Sequence, residues 1–209
     1  MIDTWLSNTK LKDSYERFVN KILLERISAN QITFIGLVFG ILTALFIYLS
    51  TKSVFALEFN IIACILMLVS FILDTMDGAI ARAEGPTQFG GVLDLFSDRT
   101  VEVLIIIAVV STDPLSLIWP GLFSLGAMIL CISMFLIVSI LSEETEGTNG
   151  NKKVIRYRKG FMERAETLIC LFFIVLLFPW RLILLWLFAA LVFLTAVLRL
   201  KDGYKLFNK

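Results

Sequence analysis

Histidine is absent from these 209 residues. Its absence excludes Ser-His-Asp hydrolysis, Cys-His proteolysis and every zinc site that needs imidazole, so acid–base chemistry must come from carboxylates, with Lys, Tyr or Cys as weaker sources. Cysteine is scarce as well: Cys64, Cys131 and Cys170 each sit in an apolar run with no CxxC pair, which reads as small buried hydrophobes and not as a metal or redox framework. Charge is thin, with 18% Asp, Glu, Lys and Arg where a soluble globule carries about 25%. The 19 basic and 18 acidic residues nearly cancel, leaving no basic surface that would point to nucleic acid. Nor does a basic start followed by an apolar core open the chain: Met1–Lys12 is polar, so no signal peptide is expected.

What fills the chain is apolar. Hydrophobic residues make up 58% and mean hydropathy is +0.86. The apolar residues gather in six stretches, 32–49, 61–73, 92–110, 120–141, 168–178 and 182–198. A helix needs about 20 largely apolar residues to cross about 30 Å of hydrocarbon. The first, fourth and sixth stretches approach that length. The second reaches it only from Val54, the third only by counting Asp94, Asp98 and Glu102, and the fifth only by borrowing the polar segment before it. Short or acid-bearing spans belong where helix ends line a wet cavity. The expected fold is therefore all-α: an integral membrane protein with six transmembrane helices (residues 32–209) preceded by an amphipathic juxtamembrane helix (residues 1–31). Leu11, Tyr15, Phe18, Val19, Ile22 and Leu23 recur at helical spacing there, so that helix either lies on the membrane surface or packs on the domain's own polar face. Ser28 is placed to cap the first span.

With six spans, all of the 19 Lys and Arg residues except Lys52 and Arg181 fall on one side. That side is expected to be cytoplasmic, carrying both termini and the active site at the cell (inner) membrane, with Trp119 and Trp180 at the opposite interface.

The chemistry is concentrated between Asp74 and Asp98, in DTMDGAIARAEGPTQFGGVLDLFSD. Asp74 and Asp77 share a helix face at i,i+3, and Asp94 and Asp98 share one at i,i+4 on the next helix. Four acids at a membrane boundary call for a compensating cation, and hard oxygen donors favour Mg²⁺, Mn²⁺ or Ca²⁺. Gly78 and Ala81 leave a small-residue groove where something flat could press on the backbone, and the planar fork of Arg82 beside it suits a diphosphate. A cation, an arginine and a groove at the lipid boundary suggest phosphoryl transfer.

The pattern D-x2-D-G-x2-A-R, seven residues, G-x3-D-x3-D is carried by Asp74, Asp77, Gly78, Ala81, Arg82, Gly90, Asp94 and Asp98. It resembles the signature of the CDP-alcohol phosphotransferases. More loosely, so do the surface helix, the six spans and the S-x-N-x-x-T start at Ser28, Asn30 and Thr33, although many relatives carry proline where Ala29 stands. The resemblance implies that Asp74, Asp77, Asp94 and Asp98 hold two ions, Mg²⁺ or Mn²⁺. Asp98 would double as the general base, and the CDP moiety would rest on Asp74, Asp77, Gly78, Ala81, Arg82 and Gly90. The implied reaction moves a substituted phosphate, favoured here as the phosphatidyl group of CDP-diacylglycerol or an archaeal equivalent, to a small polar alcohol with release of CMP, in phospholipid biosynthesis. CDP-choline or CDP-ethanolamine with a diacylglycerol, or CDP-inositol with inositol phosphate, are the alternative pairs. A homodimer is the family's usual state. With 31 residues ahead of the first span, the activated donor is expected from elsewhere.

Two features lie outside the signature. Glu102 continues the Asp94–Asp98 face and either shapes the acceptor pocket or is a satisfied carboxylate. The run Gly160, Glu163, Arg164, Glu166 ends a basic cluster from Lys152 that meets anionic headgroups, while Arg164 and Glu166, at the start of a span, are candidates for the acceptor pocket. A divalent-cation transporter is the competing reading from another class. It would spread acids over several helices near the midplane, often in repeated halves, whereas these acids crowd one end of two adjacent helices. A structural scaffold would leave Gly78, Ala81 and Arg82 unexplained.

Overall fold

The computed structural model describes residues 27–51, 54–147 and 164–207. Of the amphipathic helix expected over residues 1–31, residues 1–26 lie outside the described residues, as do Gly160 and Glu163 of the basic cluster, and Ala29–Gln31 belong to the first described helix. Among the described residues there are six α-helices: α1 (Ala29–Ser50), α2 (Ala56–Glu84), α3 (Gln88–Val110), α4 (Pro114–Gly147), α5 (Arg164–Leu176) and α6 (Arg181–Phe207), with one 3₁₀ turn, Phe178–Trp180, between the last two.

The helix starts follow from caps more than from apolarity. α1 begins three residues before the apolar stretch because Ser28 forms a capping box: its hydroxyl accepts from the Gln31 amide at 3.4 Å, and the Gln31 side chain accepts from the Ser28 amide at 3.0 Å. α3 begins at Gln88 because the Thr87 hydroxyl accepts from the Gly90 amide at 3.0 Å. α4 starts at Pro114 and runs through Pro120, where the apolar stretch alone began. Pro114 takes the first helical position, which needs no amide hydrogen, and the Asp113 carbonyl accepts from Leu117 at 2.9 Å. α2 ends at Gly85, whose φ of +99° suits glycine.

Four helices are long and apolar enough to cross a bilayer, at Ala29–Ser50, Ala56–Glu84, Pro114–Leu141 and Phe178–Lys205. The chain is thus a multi-pass membrane protein. α3 has the length, about 34 Å for 23 residues, but its acids keep it out of that set. They are turned inward, with Asp94 and Asp98 half-buried and Glu102 fully buried. α5 is described over 13 residues from Arg164.

The helices pack as α1 on α2 and α3, α4 on α6, with α3 and α5 joining the two groups. Their common core holds Ile47, Met67, Ile105, Ile106, Val109, Leu171, Ile174, Leu185 and Phe188. Large apolar residues also cover the outside, among them Phe34, Ile41, Ile65, Ile72, Phe123, Ile129, Leu187 and Phe193. On a protein in water such a belt would drive association; here it meets lipid tails. Lipid gives helices little hydrophobic reason to associate, so close approach and interhelical hydrogen bonds do that job. A Cβ on Gly40 would run into the Val101 side chain, so glycine lets α1 approach α3 closely there. The Ser70 hydroxyl donates to the Gly36 carbonyl at 2.8 Å, tying α2 to α1, and Arg199 Nη1 donates to the Cys131 carbonyl at 2.8 Å, tying α6 to α4.

Arg181, counted in the sequence as a loop charge, is buried instead. It donates to the Asn60 side chain at 2.6 Å, to Thr112 Oγ1 at 3.1 Å and to the carbonyls of Ile174 and Val175 at 3.3 and 3.4 Å. One guanidinium thereby clamps the α5–α6 turn to α2 and α3, at the end of the bundle opposite the aspartates.

Candidate functional site

Asp74 and Asp77 lie near the C-terminal end of α2, while Asp94 and Asp98 lie in the first turns of α3, so the tight Gly85-Pro86-Thr87 connection folds the two pairs against one another. Oxygens of Asp74, Asp94 and Asp98 all lie within 4.8 Å of one another. Asp77 stands slightly apart, buried, its Oδ2 accepting from the Thr33 hydroxyl of α1 at 2.5 Å. A space of about 30 Å³ has Asp74, Asp77, Asp98, Ser97 and Thr33 in its wall, with Leu37, Phe71, Val101 and Leu168 closing it on the apolar side, room for a water- or ion-sized occupant. Three clustered carboxylates with a fourth alongside, all hard oxygen donors, fit Mg²⁺ or Mn²⁺.

On one side of the carboxylates a cavity of about 340 Å³ opens between α1, α2 and α3. Its lining contains the expected Asp77, Gly78, Ala81, Gly90 and Asp94, and adds Asn30 and Thr33. A Cβ on Gly78 would meet only Arg82 Nη1, at 3.4 Å, so the groove floor there is bare backbone. A Cβ on Gly90 would press on Thr87 Oγ1 and Asn30 Oδ1, at 2.8 and 3.1 Å, so glycine lets α3 start this close to α1. Arg82 is exposed and stands over Gly78, at the rim.

On the other side lies a cavity of about 300 Å³ between α3, α4, α5 and α6, with Arg99, Arg164, Arg199 and Thr167 in its wall. Arg199 is fixed there by the Cys131 carbonyl and by stacking at 5.0 Å over the Phe135 ring. Arg99 is fixed by Glu102, whose Oε2 accepts from Arg99 Nη1 at 2.5 Å. Glu102, 1% exposed, therefore lines neither of these two cavities and acts on the second only through Arg99. Glu166, half-buried in the first turn of α5, also lines neither. Arg164 belongs to the cavity wall and to the carboxylates together. Its Nη2 contacts Asp74 Oδ1, Asp98 Oδ1 at 2.5 Å and Asp94 Oδ1 at 3.3 Å, and its Nη1 reaches Asp94 Oδ2 at 3.4 Å.

The expected aspartates, Gly78, Ala81 and Gly90 thus converge. Arg99 and Arg199 did not stand out in the sequence, where each counted only as one more positive charge on the cytoplasmic side. Asn30 and Thr33 were visible in the S-x-N-x-x-T element but carried no assigned role.

Fold and site together define a membrane-embedded helical bundle with a carboxylate cluster that could hold a cation, set between two cavities, one floored by small residues and the other largely apolar with three arginines in its wall. The chain belongs to the CDP-alcohol phosphatidyltransferase family, whose model matches residues 26–197, and it is accordingly a membrane transferase of phospholipid biosynthesis. Inner membrane protein YnjF of Escherichia coli (strain K12) is 28% identical over 207 residues, 98% of this chain and 96% of that protein. Archaetidylinositol phosphate synthase of Pyrococcus horikoshii is 34% identical over 101 residues, 48% of this chain and 50% of its own length. The fold is also that of the Mycobacterium tuberculosis phosphatidylinositol phosphate synthase PgsA1. Its crystal structure with CDP-DAG bound has a TM-score of 0.66 at 22% identity, covering 90% of this chain and 92% of that one. The form in complex with manganese and citrate has the same TM-score and identity, covering 88% of that chain.

Proposed function

We propose that this protein transfers the substituted phosphate of a CDP-linked lipid, CDP-diacylglycerol or an archaeal equivalent, to a hydroxyl of a small phosphorylated polyol, releasing CMP. The observation that carries the reading is the position of the carboxylates, between a groove floored by Gly78 and Ala81 and a cavity walled by Arg99, Arg164 and Arg199. A two-substrate displacement needs that order of parts: donor, reacting phosphorus, acceptor.

The cytidine would lie against the bare backbone at Gly78 and beside Asn30, with Arg82 at the rim turning its fork to the diphosphate. Asp74, Asp94 and Asp98, with Asp77 alongside, would hold divalent cations, which supply charge neutralisation of the diphosphate and of the leaving oxygen. Asp98 faces the arginine cavity through Arg164, which places it to take the acceptor proton. The acceptor oxygen then forms a bond to the phosphorus distal to cytidine, the bond from that phosphorus to the CMP oxygen breaks, and CMP leaves with the electron pair. A carboxylate near cations is a modest base, so Asp98 contributes mainly by position.

Three arginines around a cavity of about 300 Å³ suit an acceptor that carries its own phosphate. The names of the synthases above, both of inositol phosphate lipids, support an inositol phosphate as the acceptor. α3 and α5 are read as the remaining two spans, which puts the carboxylates, with most of the basic residues, on the cytoplasmic side. The test is CMP release by the purified protein from CDP-diacylglycerol, with Mg²⁺ or Mn²⁺, across inositol phosphate, inositol, glycerol phosphate and serine. Release that needs both the ion and inositol phosphate supports the reading; no release with any acceptor refutes it.

A further inference from the structure

Arg181 is a buried charge with no direct part in the chemistry at the aspartates. It lies about one turn inside the last span, Phe178–Lys205, where a long side chain can still reach the polar interface. Instead it turns inward and is only 6% exposed. Among the described residues no carboxylate pairs with it. Its donors go to neutral oxygens at three other helix ends: Asn60 Oδ1 near the start of α2, Thr112 Oγ1 just past the end of α3, and the Ile174 and Val175 carbonyls in the last turn of α5. Thr112 Oγ1 in turn donates to the Val109 carbonyl, in the last turn of α3, at 2.7 Å. The guanidinium thus stands at two helix C-termini at once. Each carries about half a negative charge, so the two together answer its single positive one, as a cation buried in a span requires.

The opposite, N-terminal ends of the same two helices meet at the carboxylates. Asp94 and Asp98 lie in the first turns of α3, and Arg164, which opens the described part of α5, contacts both. α4 separates α3 from α5 in the chain, so no short connection sets one against the other. A helix is stiff along its axis and rises about 1.5 Å per residue, so a height fixed at one end is carried to the other. We infer that Arg181 is a positioning residue for the distant site: as a cap shared by α3 and α5, it sets the depth at which the two helices meet beside the aspartates. The inference rests on the proposed donor and acceptor sides and adds what aligns them.

The first experiment needs no substrate. Amide hydrogen exchange, read by mass spectrometry on the full chain in detergent, compares the wild type with Arg181→Leu and Thr112→Val. Arg181→Leu should quicken exchange by about ten-fold or more in the last turns of α3 and α5 together. The nearly isosteric Thr112→Val should loosen the end of α3 alone. Loosening of α5 only in Arg181→Leu, or an α3 end indifferent to Thr112→Val, refutes the shared cap. The second experiment is CMP release by wild type and Arg181→Leu below the melting transition of both. A misplacement of about 1 Å can cost about 100-fold, so the acceptor KM should rise by about ten-fold or more. The KM for CDP-diacylglycerol, whose groove lies between α1, α2 and α3, should change far less. A fall in turnover alone, or an equal rise in both KM values, makes Arg181 a stabilising residue only and refutes the positioning. A wild type that releases no CMP refutes the proposed function instead, and the exchange rates still decide the cap.

Discussion

Gly78→Ala separates what the groove does for folding from what it does for substrate. Gly78 lies inside α2, where alanine is favoured over glycine by about 1 kcal/mol. The added Cβ would touch only the end of the flexible Arg82 side chain, at 3.4 Å, so no packing loss offsets that gain. A gain of about 1 kcal/mol corresponds to a rise of roughly 2–4 °C in melting temperature for a chain of this size. The same methyl group enters the floor of the cavity of about 340 Å³ proposed to take the cytidine. Forcing one methyl into a filled groove costs about 1–3 kcal/mol, or roughly 5–150-fold in donor affinity. The assay pairs a thermal melt in detergent with the KM for CDP-diacylglycerol in CMP release. A stabilised protein with a raised donor KM is the expected outcome. An unchanged donor KM would move the nucleotide elsewhere, and a lowered melting temperature would contradict the open space at Gly78.

Asp98→Asn should lower turnover by about 10²–10⁴-fold while CDP-donor binding, followed by calorimetry, falls far less; equal loss of both would make Asp98 a binding residue only. Arg99→Ala should destabilise the protein by on the order of 3 kcal/mol, because it strands the buried Glu102 carboxylate, and by more than Glu102→Gln, which removes the charge; matching melting temperatures would refute the pairing. Gly40→Ala should cost about 1–3 kcal/mol by overpacking α1 against Val101. Val101→Ala in the same chain should recover part of that loss, and additive effects in the melt would deny the contact.

Much of this protein was legible in the linear chain. Missing histidine and the all-oxygen donor set narrowed the chemistry. The i,i+3 and i,i+4 aspartates and the short Gly85-Pro86-Thr87 connection brought two helix ends together by local geometry alone. The start of α1 was written in Ser28, while the Thr87 cap of α3 emerged only from the structure; the apolar stretches placed both starts later, since hydropathy marks what touches lipid and not where backbone amides find their caps. Glu102, open in the sequence between pocket residue and satisfied carboxylate, pairs one oxygen with Arg99 and leaves the other, buried, without a hydrogen-bond partner.

Neighbour relations were not legible. Arg164 meets aspartates 66–90 residues earlier, Arg181 meets Asn60 across 121 residues, and Arg99 and Arg199 share a cavity from different helices. In water, a helix announces its buried side by a polar face opposite, but in a membrane lipid-facing and core-facing sides are both apolar. The sequence by itself therefore determined the medium, the acid cluster and the class of chemistry. Which helices touch, and so which arginine stands among the aspartates and which line the cavity between α3, α4, α5 and α6, was decided by close packing at small residues and by a few interhelical hydrogen bonds, and those exist only once the bundle has formed.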